Sequence, residues 1–354
     1  VKHLAGQEVE DLLPGLLHDI LTSLSFPKTM RWADHDFRFV RPIRWLVALF
    51  GDDVIPVEIT GVKSGKFSRG HRFLRPALVE GAKAVESLDD AKELLEKAVS
   101  AVKNTVSSAV NKTPGAVEIP CAEAYEEVLK DNFVMVDQDA RRELIRQQVI
   151  DLAIEEGGHA EIDEDLLEEV NYLVEWPTAL CGCFEERFLP LPKECIITPM
   201  REHQRYFPVL KEDGSLLNKF ITVRNGGKEH LDVVAHGNER VLRARLSDAE
   251  FFFNEDRKQP LEARLAKLCT VSFQEGLGNM NDKSQRLVKA ADMIAFGLNS
   301  KVDREKLART ALLCKTDLVT GMVVEFTELQ GVMGREYALL DGEAPEVAKG
   351  IYEH

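Results

Sequence analysis

The 354-residue chain has no stretch approaching 18 uninterrupted apolar residues, too few for an ordinary membrane-spanning helix. No signal peptide is visible. Cysteine is scarce: six residues, without framework spacing, point to free thiols in a reducing cytoplasm, the expected compartment. The chain also lacks a phosphate-cradling glycine loop, a Ser/His/Asp set and an ATP-site signature. No catalytic residue is therefore assigned. Positive charge is in deficit, with a net charge of −15, which argues against a protein that coats nucleic acid generally. What remains, 44% apolar and 30% charged residues, describes a globular protein with room for two or three domains.

The charge is unevenly spread. Residues 26–76 carry ten Lys/Arg against five Asp/Glu, whereas residues 118–169 carry four against seventeen. A basic island in an acidic chain fits a local polyanion contact; ordinary surface variation explains it as well.

The richest stretch is 198–253. An apolar run holding Arg201, His203 and Arg205 leads to Asp213-Gly214, a turn signal, and then to a return strand ended by Asn225-Gly226-Gly227. This predicts a hairpin. Asn238 is a good N-cap, and a helix is expected to about residue 254. Val241, Leu242, Leu246, Ala249 and Phe253 share one face, and Glu239 and Arg243 stand at i,i+4. By pattern alone this is a hairpin packed on an amphipathic helix with a solvated charged face.

Elsewhere, helices are expected over 9–24, 43–50, 122–129, 139–156 and 165–174. Strands are expected over 54–62, turning at Ser64-Gly65, and over 133–136 and 178–184. The Ala/Glu/Lys/Val-rich segment 78–115 reads as a helical surface insertion. Beyond residue 261 the chain is helical over 262–269, 283–297, 304–320 and 326–340, so the best domain boundary lies near Asp256. The fold class is α+β: a leading helix (1–25), a mixed α/β domain (26–254) and an all-α domain (255–354). Arg69 and Arg72 flank Gly70, where a bare backbone and guanidinium forks suit phosphate oxygens. His71 reads as a phosphate contact, a ligand or a core histidine, the last or a surface role being favoured. Cys181, Cys183 and Cys195 have no further partner at zinc-ligand spacing, and no metal site is assigned.

The stretches EHQRYFPV, ITVRNG and GNERVLRARLSDAEFF, with SFPKTMRW, RFVRPIRWLVALFGD, GVKSGKFSRGHRF and CKTDLVTGMVVEFTELQGVMGREYALLDGE, resemble the beta subunit of bacterial-type glycyl-tRNA synthetase. The resemblance runs nearly the whole chain and implies about half of that subunit. It implies ATP-dependent joining of glycine to tRNA(Gly), with ATP and Mg used on an alpha subunit and no cofactor bound by this chain. It implies tRNA(Gly) and the alpha subunit as partners in an alpha2-beta2 assembly. The mixed part would resemble the editing-type domain of the phenylalanine enzyme's beta subunit, and the helical part the HD phosphohydrolases. Where those enzymes carry a metal-binding His-Asp pair after Leu-Leu, this chain has Cys314-Lys315 after Leu312-Leu313, so the hydrolase site is expected to be missing. The family departs from this chain at 78–115. The tRNA contacts expected on this basis are Lys63, Lys66, Arg69 and Arg72, with Arg201, Arg205 and Arg243 in support; Arg38, Arg41, Arg44 and Arg75 complete the basic set. The alternatives are a metal phosphohydrolase and an assembly scaffold that never touches RNA.

Overall fold

Helix α1 (Val9–Ser23) is the first element of a computed structural model that describes residues 6, 8–74, 116–299 and 301–354. The predicted insertion (78–115) and Arg75 lie outside the described residues. The chain divides into two compact units. Unit 1 holds residues 1–144, 171–178 and 224–227; unit 2 holds 145–170, 179–223 and 228–354.

In unit 1, α1 turns Leu13, Leu17 and Leu21 onto Ile55, Val57 and Ile59. Its predicted apolar side splits, because Leu12, Leu16, Ile20 and Leu24 stay exposed. Residues 43–50, expected as a helix, instead form β1 (Leu46–Val47) and β2 (Leu49–Phe50). The reason is a set of distant partners. β1 lies parallel to β5 (Val62–Gly65), while β2 turns through Gly51 and pairs with β3 (Asp53–Val54). The long strand expected over 54–62 is likewise broken. β4 (Glu58–Ile59) and β5 form a hairpin whose turn is Thr60-Gly61 rather than Ser64-Gly65. Both turn residues have positive φ, 50° and 77°, as a type I′ turn demands. β6 (Phe67–Arg69) pairs with β7 (Ala116–Glu118). Val117 and Ile119 pack on Leu129 of α2 (Tyr125–Asp131). Residues 133–136 form no strand: Phe133 takes a left-handed φ of 60°.

Helices α3 (Gln138–Glu155) and α4 (Glu164–Leu173) follow as expected, with Gly157 (φ 80°) stopping the first. Unit 2 centres on a sheet of order β8-β10-β11-β9, from His159–Ala160, Phe207–Leu210, Leu216–Asn225 and Pro177–Cys183. The β10–β11 hairpin matches expectation: Phe207 faces Ile221, and the Asp213 carboxylate accepts from the Ser215 N–H and hydroxyl in the turn. Gly182 of β9 lies directly under the Phe220 ring. After α5 (Lys193–Thr198), α6 runs over Leu231–Asp256. It starts seven residues before Asn238, whose side chain accepts from the Tyr206 hydroxyl at 3.1 Å instead of capping. Leu242, Leu246, Ala249 and Phe253 are buried as predicted, but Val241 is exposed.

The same core continues through Leu313, Met322, Phe326, Met333 and Ile351. The later helices of unit 2 are α7 (Met280–Gly297), α8 (Arg304–Leu313), α9 (Gly321–Glu325), α10 (Val332–Leu340) and α11 (Pro345–Glu353). Residues 261–270 are a 3-10 helix. The continuous helices expected over 304–320 and 326–340 are each interrupted. A 3-10 turn covers Thr316–Val319, and Gly331, at φ 80°, starts α10 afresh. Asp256 explains one break: its carboxylate accepts from the Gly321 and Met322 N–H groups at 2.8 and 2.9 Å and so caps α9.

Candidate nucleic-acid interface

Three of the predicted contacts come together in unit 1. Lys63, Lys66 and Arg69 line one open cleft of about 720 Å³ with Arg44, Trp45 and Glu118. Strand geometry puts them there. β5 and β6 are joined at Lys66, Ser68 turns inward, and its neighbours Phe67 and Arg69 turn to the cleft. Four cations therefore face one carboxylate. Lys63 Nζ lies 3.9 Å from Glu58, a loose and exposed pair worth little. Lys66 Nζ reaches the Pro120 carbonyl at 3.4 Å. The Arg69 guanidinium lies over the Trp45 ring, 5.1 Å from its centroid, a cation–π contact that leaves the charge of Arg69 unneutralised. Trp45 was missed as a partner, and Arg44 was named only in the wider basic set, because both are brought in by the parallel pairing of β1 with β5. A basic cleft with an exposed aromatic suits phosphate contact together with base stacking.

Arg72 lines a different cleft of unit 1, beside His71, Phe73, Tyr172 and Asn225. His71 is buried: its Nε2 pairs with Asn225 Oδ1 at 3.1 Å and its Nδ1 accepts the Phe73 N–H at 3.2 Å. It is a satisfied core histidine.

The supporting arginines belong to unit 2, and each has an acidic partner. Arg201 pairs with Asp163 at 2.6 Å and Glu202 at 3.3 Å, Arg205 with Glu169 at 2.6 Å, and Arg243 with Glu185 at 2.5 Å. The expected Glu239–Arg243 pair is replaced, since Glu239 accepts from the Cys183 N–H. Except for Arg201–Glu202, these pairings follow from tertiary neighbours that i,i+4 spacing does not reveal.

The chemistry of the cysteines is that of thiols. Burial pushes Cys181 up to about 12, with the Glu156 carboxylate adding to it. Burial also pushes Cys195 up to about 12, and its sulfur lies 3.3 Å from that of Met333. Cys183 is pushed up by its hydrogen bond to Glu239. Among the described residues no group of three or more His, Cys, Asp or Glu is placed to hold a metal ion. Where the resemblance set Cys314-Lys315 against an expected His-Asp pair, Cys314 is buried and lines a cleft with Lys315. Asp317, fully buried, spends Oδ2 on the Gly331 and Gly334 N–H groups at 2.6 and 3.2 Å. An ammonium, a buried thiol and a carboxyl turned to backbone N–H groups do not fit a divalent cation.

Comparison with known proteins adds the rest. The family model described as "Glycyl-tRNA synthetase beta subunit" matches residues 1–108 and 91–354. Glycine–tRNA ligase beta subunits of Desulforamulus reducens and Moorella thermoacetica are each 46% identical over 355 residues, and that of Bacillus subtilis is 45% identical over 354. Each alignment covers 100% of this chain and 46% of the relative. The chain thus spans about half the length of the curated relatives it matches.

Proposed function

The chain belongs to the glycyl-tRNA synthetase beta-subunit family, and on that premise we propose that it serves ATP-dependent attachment of glycine to tRNA(Gly) by holding the tRNA. Activation of glycine, with its ATP and Mg, belongs in this reading to an alpha subunit that completes an alpha2-beta2 assembly in the cytoplasm. The observation that carries the reading is the cleft lined by Arg44, Lys63, Lys66 and Arg69 in a chain of net charge −15. Such a chain has no general electrostatic attraction to RNA, so the contact has to be local. Arg72 lines the other cleft of the same unit, whereas Arg201, Arg205 and Arg243 would first have to leave Asp163, Glu169 and Glu185.

In the same reading the first part is an editing-type domain used for RNA contact, and the C-terminal helices are an HD-like domain without a hydrolase site. The misfit of Cys314, Lys315 and Asp317 to a divalent cation supports the second statement and disfavours a phosphohydrolase. The basic cleft favours this reading over a pure assembly scaffold, and a tRNA-binding assay discriminates the two.

Replacing Lys66 and Arg69 by Ala tests the proposal. Binding of tRNA(Gly) to the alpha–beta assembly should weaken, and its log–log salt slope should fall by about 0.7–0.9 for each cation–phosphate link removed. Melting temperature should stay nearly constant, since neither residue belongs to the buried core. An unaltered slope with intact folding would remove this surface as the tRNA contact.

A further inference from the structure

The second cleft of unit 1, about 380 Å³ in volume, is lined by an unusual combination. Phe73, Tyr172 and Leu173 are 72%, 59% and 61% exposed, a large apolar area for three side chains on one rim. The Arg72 guanidinium lies 5.4 Å from the Phe73 ring centroid. The Tyr172 ring is tethered by its hydroxyl, which donates to Gln138 Oε1 at 2.6 Å.

Asn225, which lines the same cleft, has a single allowed orientation. Its Oδ1 receives the N–H groups of Glu175 and Trp176 at 3.0 and 3.1 Å. Backbone N–H groups only donate, so the atom facing them is the oxygen. His71 Nε2, 3.1 Å from the same oxygen, must then carry its proton and donate. The other ring nitrogen accepts the Phe73 N–H, which agrees with that tautomer and ties Phe73 to the network. With three donors converging on Oδ1, the side-chain oxygen is spent. The amide nitrogen is the polar atom Asn225 has left for the cleft it lines, and among the described residues it has no hydrogen-bond partner.

A tethered, donor-only amide in one cleft with exposed aromatic rings and an arginine matches the needs of a flat heterocycle with an attached phosphate. A purely aliphatic, uncharged ligand would leave the rings and the guanidinium without a matched partner. We propose that this cleft is a subsite for one unpaired RNA base, stacked on Phe73 and Tyr172, whose carbonyl oxygen or ring nitrogen accepts from the Asn225 amide while Arg72 meets the adjoining phosphate. The inference rests on the reading of this chain as an RNA-holding subunit, and it separates the two clefts by role: Lys63, Lys66 and Arg69 contact backbone, and the Asn225 cleft contacts a base.

The test uses the full chain and two fluorescent probes of equal length, an oligouridylate and its abasic ribose-phosphate counterpart, followed by anisotropy at low salt. Wild-type protein should prefer the oligouridylate. Phe73→Ala should reduce that preference by about tenfold, as removal of one stacked base does, with Tyr172→Leu acting in the same direction. Asn225→Asp keeps the three accepted hydrogen bonds but offers oxygen where the amide nitrogen stood, so it should also reduce the preference. Its added charge weakens both probes alike and cancels in the ratio. Phe73→Ala and Tyr172→Leu, which change no charge, should leave abasic binding unaltered, and melting curves verify folding of all three variants. A base-to-abasic ratio unchanged in Phe73→Ala and Asn225→Asp, while Lys66→Ala still weakens both probes, would overturn the subsite and leave the RNA-holding reading intact. Failure of wild type to bind either probe would overturn both.

Discussion

Asp256 at the end of α6 is the most consequential single carboxylate of unit 2. Its Oδ1 accepts the Gly321 N–H at 2.8 Å, its Oδ2 accepts the Met322 N–H and the Tyr337 hydroxyl at 2.9 and 3.1 Å, and Arg264 lies 3.3 Å away. The two charged side chains are 5% and 11% exposed, so neither is rescued by water when its partner is removed. Asp256→Ala therefore orphans three donors and leaves a buried guanidinium uncompensated. Breaking one side of such a pair costs about 3–5 kcal/mol, and each orphaned buried donor about 1–3 kcal/mol; the terms overlap, so about 4 kcal/mol is expected. For a unit of this size that is a melting shift of roughly 10 °C. Asp256→Asn discriminates charge from shape. One amide nitrogen must face either Gly321 N–H or Met322 N–H, donor against donor, so the isosteric change should cost nearly as much as Ala. Tyr337→Phe removes one hydrogen bond and should cost only about 1 kcal/mol. Chemical denaturation of the four proteins provides the numbers. Asp256→Asn within about 1 kcal/mol of wild type would refute the assignment of Asp256 as a charged hub.

Two further outcomes follow from buried groups. Burial holds the Asp317 carboxyl above the ordinary carboxylate range, the Gly331 and Gly334 N–H groups only partly offsetting it. The folded state thus keeps its proton more tightly than the unfolded chain, so this contribution is full in acid and is lost as pH rises through the elevated value. Asp317→Asn should flatten that decline in a melting-temperature series against pH; an identical profile would show that Asp317 does not titrate between the two states. At Gly182 an added Cβ would stand 2.4 Å from the Phe220 ring, itself buried and stacked on Tyr206 at 4.6 Å. Gly182→Ala should cost about 1–3 kcal/mol, whereas Gly15→Ala on the open face of α1, with nothing within 4 Å, should add about 0.5–1 kcal/mol; equal melting temperatures for the two variants would contradict this.

Much of the molecule was readable from neighbours in the chain. The Asp213-Gly214 hairpin, the helices over 139–156 and 165–174, and the stripe of Leu242, Leu246, Ala249 and Phe253 all appear where periodicity and turn chemistry put them. The family, too, was legible in runs such as EHQRYFPV, because a long exact wording is a local property. The misreadings share one cause. Residues 43–50 look helical until Ser64 and Gly65 supply a ladder for Leu46 and Val47. Asn238 looks like a cap until the Tyr206 hydroxyl occupies it. Arg243 looks free for Glu239 until Glu185 arrives from another strand end. The same holds for the candidate sites. Lys63, Lys66 and Arg69 could be picked out by composition, but their common cleft with Trp45 needed the β1–β5 pairing. The donor-only state of Asn225 needed His71, Glu175 and Trp176 at once. Period and propensity act over a few residues and are written in order along the chain; hydrogen-bond partners and ion pairs are chosen among groups up to 154 positions apart, a choice made only when the chain has closed on itself.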